Sequence, residues 1–138
     1  MILQKSLRIA GALLMVLSLN FVAEAQRYNQ GRQRWEYLGQ SNVDGRADHD
    51  RIRVNRPGAF RAIQLQVQGS AIEFNRVVVH FENGADTEVA VRERIRAGGK
   101  TRAIDLPGDQ RRIESIEVWY ENGNWGRRKP NLRVYGLR

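Results

Sequence analysis

The sequence predicts an all-β fold: an antiparallel β-sandwich of jelly-roll-like form with about eight strands, preceded by an N-terminal signal peptide. Three observations carry that expectation. Apolar residues recur with period two from Trp35 onward, as in Ile63, Leu65 and Val67 against Gln64, Gln66 and Gln68. Turn signals punctuate the pattern at Asn83-Gly84, Pro107-Gly108-Asp109 and Asn122-Gly123. No stretch after the leader carries the 3.6-residue spacing of an amphipathic helix.

Taken in order, residues 1–25 read as a signal peptide. Lys5 and Arg8 give a positive start, Ile9 to Val22 an apolar run broken by Asn20, and Ala23-Glu24-Ala25 the small-x-small cleavage pattern. The apolar run is shorter than the roughly 20 residues that a bilayer core needs, so cleavage after Ala25 is expected rather than anchoring. That leaves 113 residues of the 138, enough for one cored domain. Residues 26–34 (QRYNQGRQR) are too polar to offset their ordering entropy and read as a flexible basic leader. Residues 35–138 are the β-sandwich domain.

Within it, "RAIQLQVQ" is a strand with one buried face. "FNRVVVHFENG" sets Val77, Val79 and Phe81 against Arg76, Val78, His80 and Glu82, and stops at a hairpin turn. "ADTEVAVRE" is its partner, with Thr87, Val89 and Val91 inward. A Gly98-Gly99 break precedes a short strand through Ile104 and Leu106. "IESIEVWYENG" turns Ile116, Val118 and Tyr120 to one face and Ser115, Glu117 and Trp119 to the other, with a second hairpin signal at its end. "NLRVYGLR" is the last strand. A closed barrel would satisfy the same alternation.

Charge and cysteine content narrow the function. Removal of Lys5, Arg8 and Glu24 with the signal peptide lowers the net charge from +8 to +7. The only lysines are Lys5, Lys100 and Lys129, so the positive surface is built of guanidinium groups suited to carboxylates, phosphates and sulfates. The even spread of Arg51, Arg53, Arg56, Arg61, Arg76, Arg92, Arg94, Arg96, Arg102, Arg111, Arg112, Arg127 and Arg128 among acids argues against a focused nucleic-acid track. Cysteine is absent, which rules out disulfide staples, a thiol nucleophile, a cysteine zinc site and a lipidated cysteine.

Two segments hold candidate site residues. In "VDGRADHDRIRV", Asp44, Asp48 and Asp50 are weak candidates for a calcium-type site, but no glycine stands at the sixth position and Arg51 and Arg53 sit alongside. A turn, with Asp44-Gly45 as the bend and Asp48 and Asp50 capping backbone N–H groups, explains them better. His49 with Asp50 is also the one pairing on which a divergent hydrolase would centre. In "EVWYENGNWGRRKPNLRVY", the ligand-binding candidates are Trp119, Trp125, Arg127, Arg128, Arg133 and Tyr135. Aromatic platforms beside clustered guanidiniums fit an acidic glycan or other envelope polyanion. The competing expectation is packing, with Trp119 and Tyr135 inside the second sheet and Trp125 covering an edge.

"WEYLG", "DHDRIRV", "GAFRAIQLQVQGSAIEFNRVVVHFENG", "VRERIRAGGKTRAIDLPGDQRRIESIEVWY" and "NLRVYGLR" together resemble a family of small exported bacterial β-sandwich proteins of uncharacterised function. "FNRVVVHFENG" and "LRVYGLR" also resemble, less specifically, discoidin-type jelly-roll binding domains. The resemblance implies the fold and export and supplies no site residues. The expected role is a periplasmic or secreted, non-catalytic binding module without a cofactor. The alternatives are a structural or protein-partner accessory and the hydrolase on His49 and Asp50.

Overall fold

Side chains alternating across the pleat produce nine strands in the computed structural model, which describes residues 34–44, 48–121, 123 and 125–138. The strands are β1 (Trp35–Asn42), β2 (His49–Arg53), β3 (Ala62–Gln68), β4 (Ile72–Phe81), β5 (Asp86–Val89), β6 (Arg94–Ile95), β7 (Ile104–Asp105), β8 (Ile113–Tyr120) and β9 (Asn131–Leu137). The expected signal peptide and all of the basic leader except Arg34 lie outside the described residues. None of the described residues forms a helix long and apolar enough to cross a membrane.

The strands form two antiparallel sheets. One has the order β1-β9-β3-β7; the other has the order β2-β8-β4-β5, with β6 pairing the start of β4. Their inner faces meet in one core. Leu38, Ile63, Leu65, Val67, Leu132 and Val134 come from the first sheet, and Ile52, Phe74, Val77, Val79, Ile116, Val118 and Tyr120 from the second. Each such aliphatic or aromatic group contributes about 1.5–3 kcal/mol when fully removed from water. In a chain without cysteine, that burial and the strand ladders hold the sheets together.

The expected β4–β5 hairpin is present. Gly84 takes a φ of 85°, and the register runs Val77↔Val89 and Val79↔Thr87. Two expectations need correction. The chain between β8 and β9 does not close a hairpin, because β8 belongs to the five-stranded sheet and β9 to the four-stranded one. Asn122 of the expected turn lies outside the described residues. The acidic segment is likewise more than a turn. Among the described residues of this segment Asp48 is a bend, whereas His49 and Asp50 open β2 and pair with Trp119 and Val118 of β8. Gly45 lies outside the described residues.

The edges of the two sheets close on each other at Gly39. A Cβ there would stand 2.8 Å from Ile52 Cγ2 and 3.0 Å from the Arg53 carbonyl oxygen, so only glycine lets β1 approach β2 this closely. The register of β1 against β9 slips by one residue between Tyr37 and Gly39, leaving Leu38 as the extra residue of a bulge. The bulge keeps Leu38 in the core while Tyr37 and Gln40 both stay exposed.

Candidate functional site

The two outer faces of the sandwich differ in chemistry, and each holds part of the expected site. On the five-stranded sheet, Trp119 of β8 is half-buried between its cross-strand neighbours His49 and Arg76. The His49 imidazole stacks on the indole with centroids 5.6 Å apart and planes 14° apart, and the Arg76 guanidinium lies 4.9 Å from the ring centroid. These two partners come from the strands on either side of β8.

The rest of this face is an ion-pair network. His80 Nδ1 lies 2.6 Å from an Asp86 carboxylate oxygen, and His80 Nε2 lies 2.9 Å from Glu117 Oε2. Arg51 donates to the same Glu117 oxygen at 3.0 Å, and Arg76 Nε approaches Glu88 at 3.3 Å. Burial alone would push the His80 pKa down, but the bonds to Glu117 and Asp86 outweigh it and hold the imidazole above its ordinary value. Burial would raise Glu117, but hydrogen bonds from His80 and Arg51 bring it below the usual carboxylate value.

This network offers no assembled catalytic centre on the residues expected of a hydrolase. His49 and Asp50 are consecutive strand residues and so point to opposite faces. His49 Nδ1 lies 3.3 Å from Asp48, while Asp50 accepts the Tyr120 hydroxyl at 2.9 Å on the inner side. Burial, followed by the hydrogen bond to Asp50 and the charges of Asp44 and Asp48, pushes the Tyr120 phenol well above its ordinary value. Ser115 sits opposite His80 across the ladder, but its hydroxyl is buried without a hydrogen-bond partner among the described residues, and His80 Nε2 is already turned to Glu117. Among the described residues, no group of three or more His, Cys, Asp or Glu side chains is placed to hold a metal ion, Asp44, Asp48 and Asp50 included.

On the four-stranded sheet the outer face is organised as rows across β1, β9 and β3. The first row is Tyr37, Tyr135 and Gln64, the second Gln40, Arg133 and Gln66, and the third Asn42, Asn131 and Gln68. Tyr37, at 40% exposure, is the one large apolar side chain left in the open among the described residues. It meets Tyr135 edge to face with centroids 5.8 Å apart. Gln64 donates to the Thr101 carbonyl oxygen at 3.1 Å, Arg133 Nε to Asn131 at 3.2 Å and Asn131 to Asn42 at 2.7 Å. These three rows contain no carboxylate.

The six expected binding residues therefore divide. Arg133 and Tyr135 stand together on this face, and Arg127 and Arg128 are exposed in the segment leading into β9. Trp119 lies on the opposite sheet and cannot share a ligand with them. Trp125 is half-buried, lies 6.3 Å from the Tyr120 ring, and donates its indole N–H to the Ala71 carbonyl oxygen at 3.1 Å. It packs against the core. Trp125→Phe should therefore cost about 1 kcal/mol through the lost hydrogen bond, read by urea unfolding, and leave ligand binding unchanged. Tyr37, Gln40, Gln64 and Gln66 were not expected in the site. The alternating glutamines of β3 were the available signal, but they identify an outward face without showing which aromatics lie beside it.

The fold is similar to part of AlgX from Pseudomonas aeruginosa, with a TM-score of 0.50 and 8% identity over 76% of this chain and 26% of that one. It is also similar to a putative alpha-L-fucosidase from Bacteroides thetaiotaomicron, with a TM-score of 0.49 and 12% identity over 75% of this chain and 23% of that one. A family 29 carbohydrate-binding module gives a TM-score of 0.39 and 14% identity over 77% of this chain and 87% of that one. The chain thus spans about a quarter of the length of the first two. No curated protein matches the sequence closely enough to count as a relative. The family model that matches residues 12–136 covers most of the chain: the chain belongs to the family described as domain of unknown function DUF2541.

Proposed function

We propose that this protein is an exported, periplasmic or secreted, non-catalytic module that binds an acidic glycan through the outer face of the four-stranded sheet. The observation that carries the reading is the Tyr37–Tyr135 pair beside carboxylate-free rows of amides and the Arg133 guanidinium. Aromatic rings offer apolar surface to a sugar ring, and planar amide and guanidinium groups match its hydroxyls and anionic substituents. The cationic segment at Arg127 and Arg128 adds attraction for a polyanion. The Ala23-Glu24-Ala25 cleavage pattern supports export.

Affinity electrophoresis and calorimetry against acidic polysaccharides test this reading. Tyr37→Ala and Tyr135→Ala should each weaken binding about tenfold, the equivalent of 1.4 kcal/mol, and raised salt should weaken it further. Trp119→Ala, on the other sheet, should leave it unchanged. Equal affinity of wild type and both tyrosine variants would end the assignment to this face. Capture of a protein partner with no glycan bound would replace the reading with an accessory role.

A further inference from the structure

The middle row of the same face continues beyond β3. Gln66 forms an isolated antiparallel bridge with Lys100, which sets the Lys100 side chain on the outer face beside Gln66. The row therefore reads Gln40, Arg133, Gln66, Lys100: amide, cation, amide, cation. Neighbouring strands stand roughly 4.8 Å apart, and a pyranose ring in an extended chain advances by about the same amount. One side chain of the row therefore meets one sugar ring, and the two cations meet every second ring, roughly 10 Å apart.

We infer that the ligand is a linear glycan with an alternating disaccharide repeat carrying one anionic group per repeat, lying across the strands with its acidic rings over Arg133 and Lys100. This rests on the glycan reading above. Three further observations fit the track. Tyr37 and Tyr135 wall it on one side, and Asn42, Asn131 and Gln68 line it on the other. Its far end opens into a cleft of about 320 Å³ lined by Gln66, Gln68, Gly98, Gly99 and Lys100, where a Cβ on Gly98 would meet nothing within 4 Å. Lys100 is exposed and has no ion-pair partner among the described residues, so its ammonium group is free to meet an anion.

The test compares three polymers on the purified protein: hyaluronan, with one carboxylate per disaccharide; polyglucuronate, with one on every ring; and hydroxyethylcellulose, which is neutral. Wild type should bind hyaluronan best, with polyglucuronate no tighter in spite of its doubled charge. Lys100→Gln, a surface change that spares the core, should lower hyaluronan affinity roughly three- to fivefold, as expected for one exposed ion pair, and leave hydroxyethylcellulose unaffected. Gln66→Lys, which inserts a third cation into the row, should shift preference toward polyglucuronate. Unchanged hyaluronan affinity in Lys100→Gln, or affinity that simply follows charge density, would overturn the alternation and leave the glycan reading standing. Failure of wild type to bind all three polymers would remove both.

Discussion

Phe60→Ala is expected to lower stability by about 3–5 kcal/mol, read as a fall in the urea midpoint at unchanged slope. Phe60 is fully buried just before β3, in the segment that carries the chain from the five-stranded sheet to the four-stranded one. Its N–H donates to the Arg111 carbonyl oxygen at 2.8 Å, and Arg111 N–H returns the bond at 2.8 Å, which ties this crossing to the approach to β8. The ring fills the space over Gly136, where a Cβ would stand 2.6 Å from Phe60 Cδ1, and the Arg138 guanidinium lies 4.9 Å from the ring centroid. Truncation opens a cavity beside the Gly136 backbone that close-packed surroundings fill only in part. A domain of this kind is stable by only about 5–15 kcal/mol, and this one lacks a disulfide to restrain the unfolded chain. Phe60→Leu, which keeps most of the volume, should cost about 1.5 kcal/mol or less. Equal losses for the two variants would show that the ring's volume is not what the site requires.

The importance of Phe60 was not legible in the sequence, whereas the faces of β3, β4 and β8 were. Alternation reports which side of a strand is buried, and Ile63, Leu65, Val67, Val77, Val79, Ile116 and Val118 all face the core as the period demands. Alternation does not report which strand lies alongside. Trp119 and Tyr135 both point outward, but β8 and β9 enter different sheets, so residues close in sequence end on opposite surfaces. Tyr37, nearly a hundred positions before Tyr135, becomes its neighbour through the pairing of β1 with β9, which leaves no mark in the hydrophobic pattern. Burial can also exceed what parity implies. Val78, Gln64 and Ser115 occupy outward positions and are still buried. The row of Gln40, Arg133, Gln66 and Lys100 draws on four separate segments and exists only once they are paired.

His80, one of two imidazoles in the sequence, reads there as one outward position of a strand; the fold makes it the centre of a chain of charge across β5, β4, β8 and β2. His80→Gln should cost about 2 kcal/mol near pH 5.5, and much less at pH 8.5, when urea unfolding is compared at the two values. The sign follows from the two shifts. The His80 pKa is raised in the folded state above 6.5, so its stabilisation is complete below pH 6.5 and is lost as pH rises through the folded value. The Glu117 pKa is lowered from 4.5, so its contribution is present above pH 4.5 and is lost as pH falls through the folded value. The full network therefore operates between these limits. Above that window a neutral imidazole donates to only one of its two carboxylates and turns a lone pair toward the other. Glu117→Gln should be destabilising at both pH values, since Arg51 loses its carboxylate whatever the state of His80. A His80→Gln penalty of the same size at pH 5.5 and 8.5 would show that the ring acts by packing alone, with no part for its second proton.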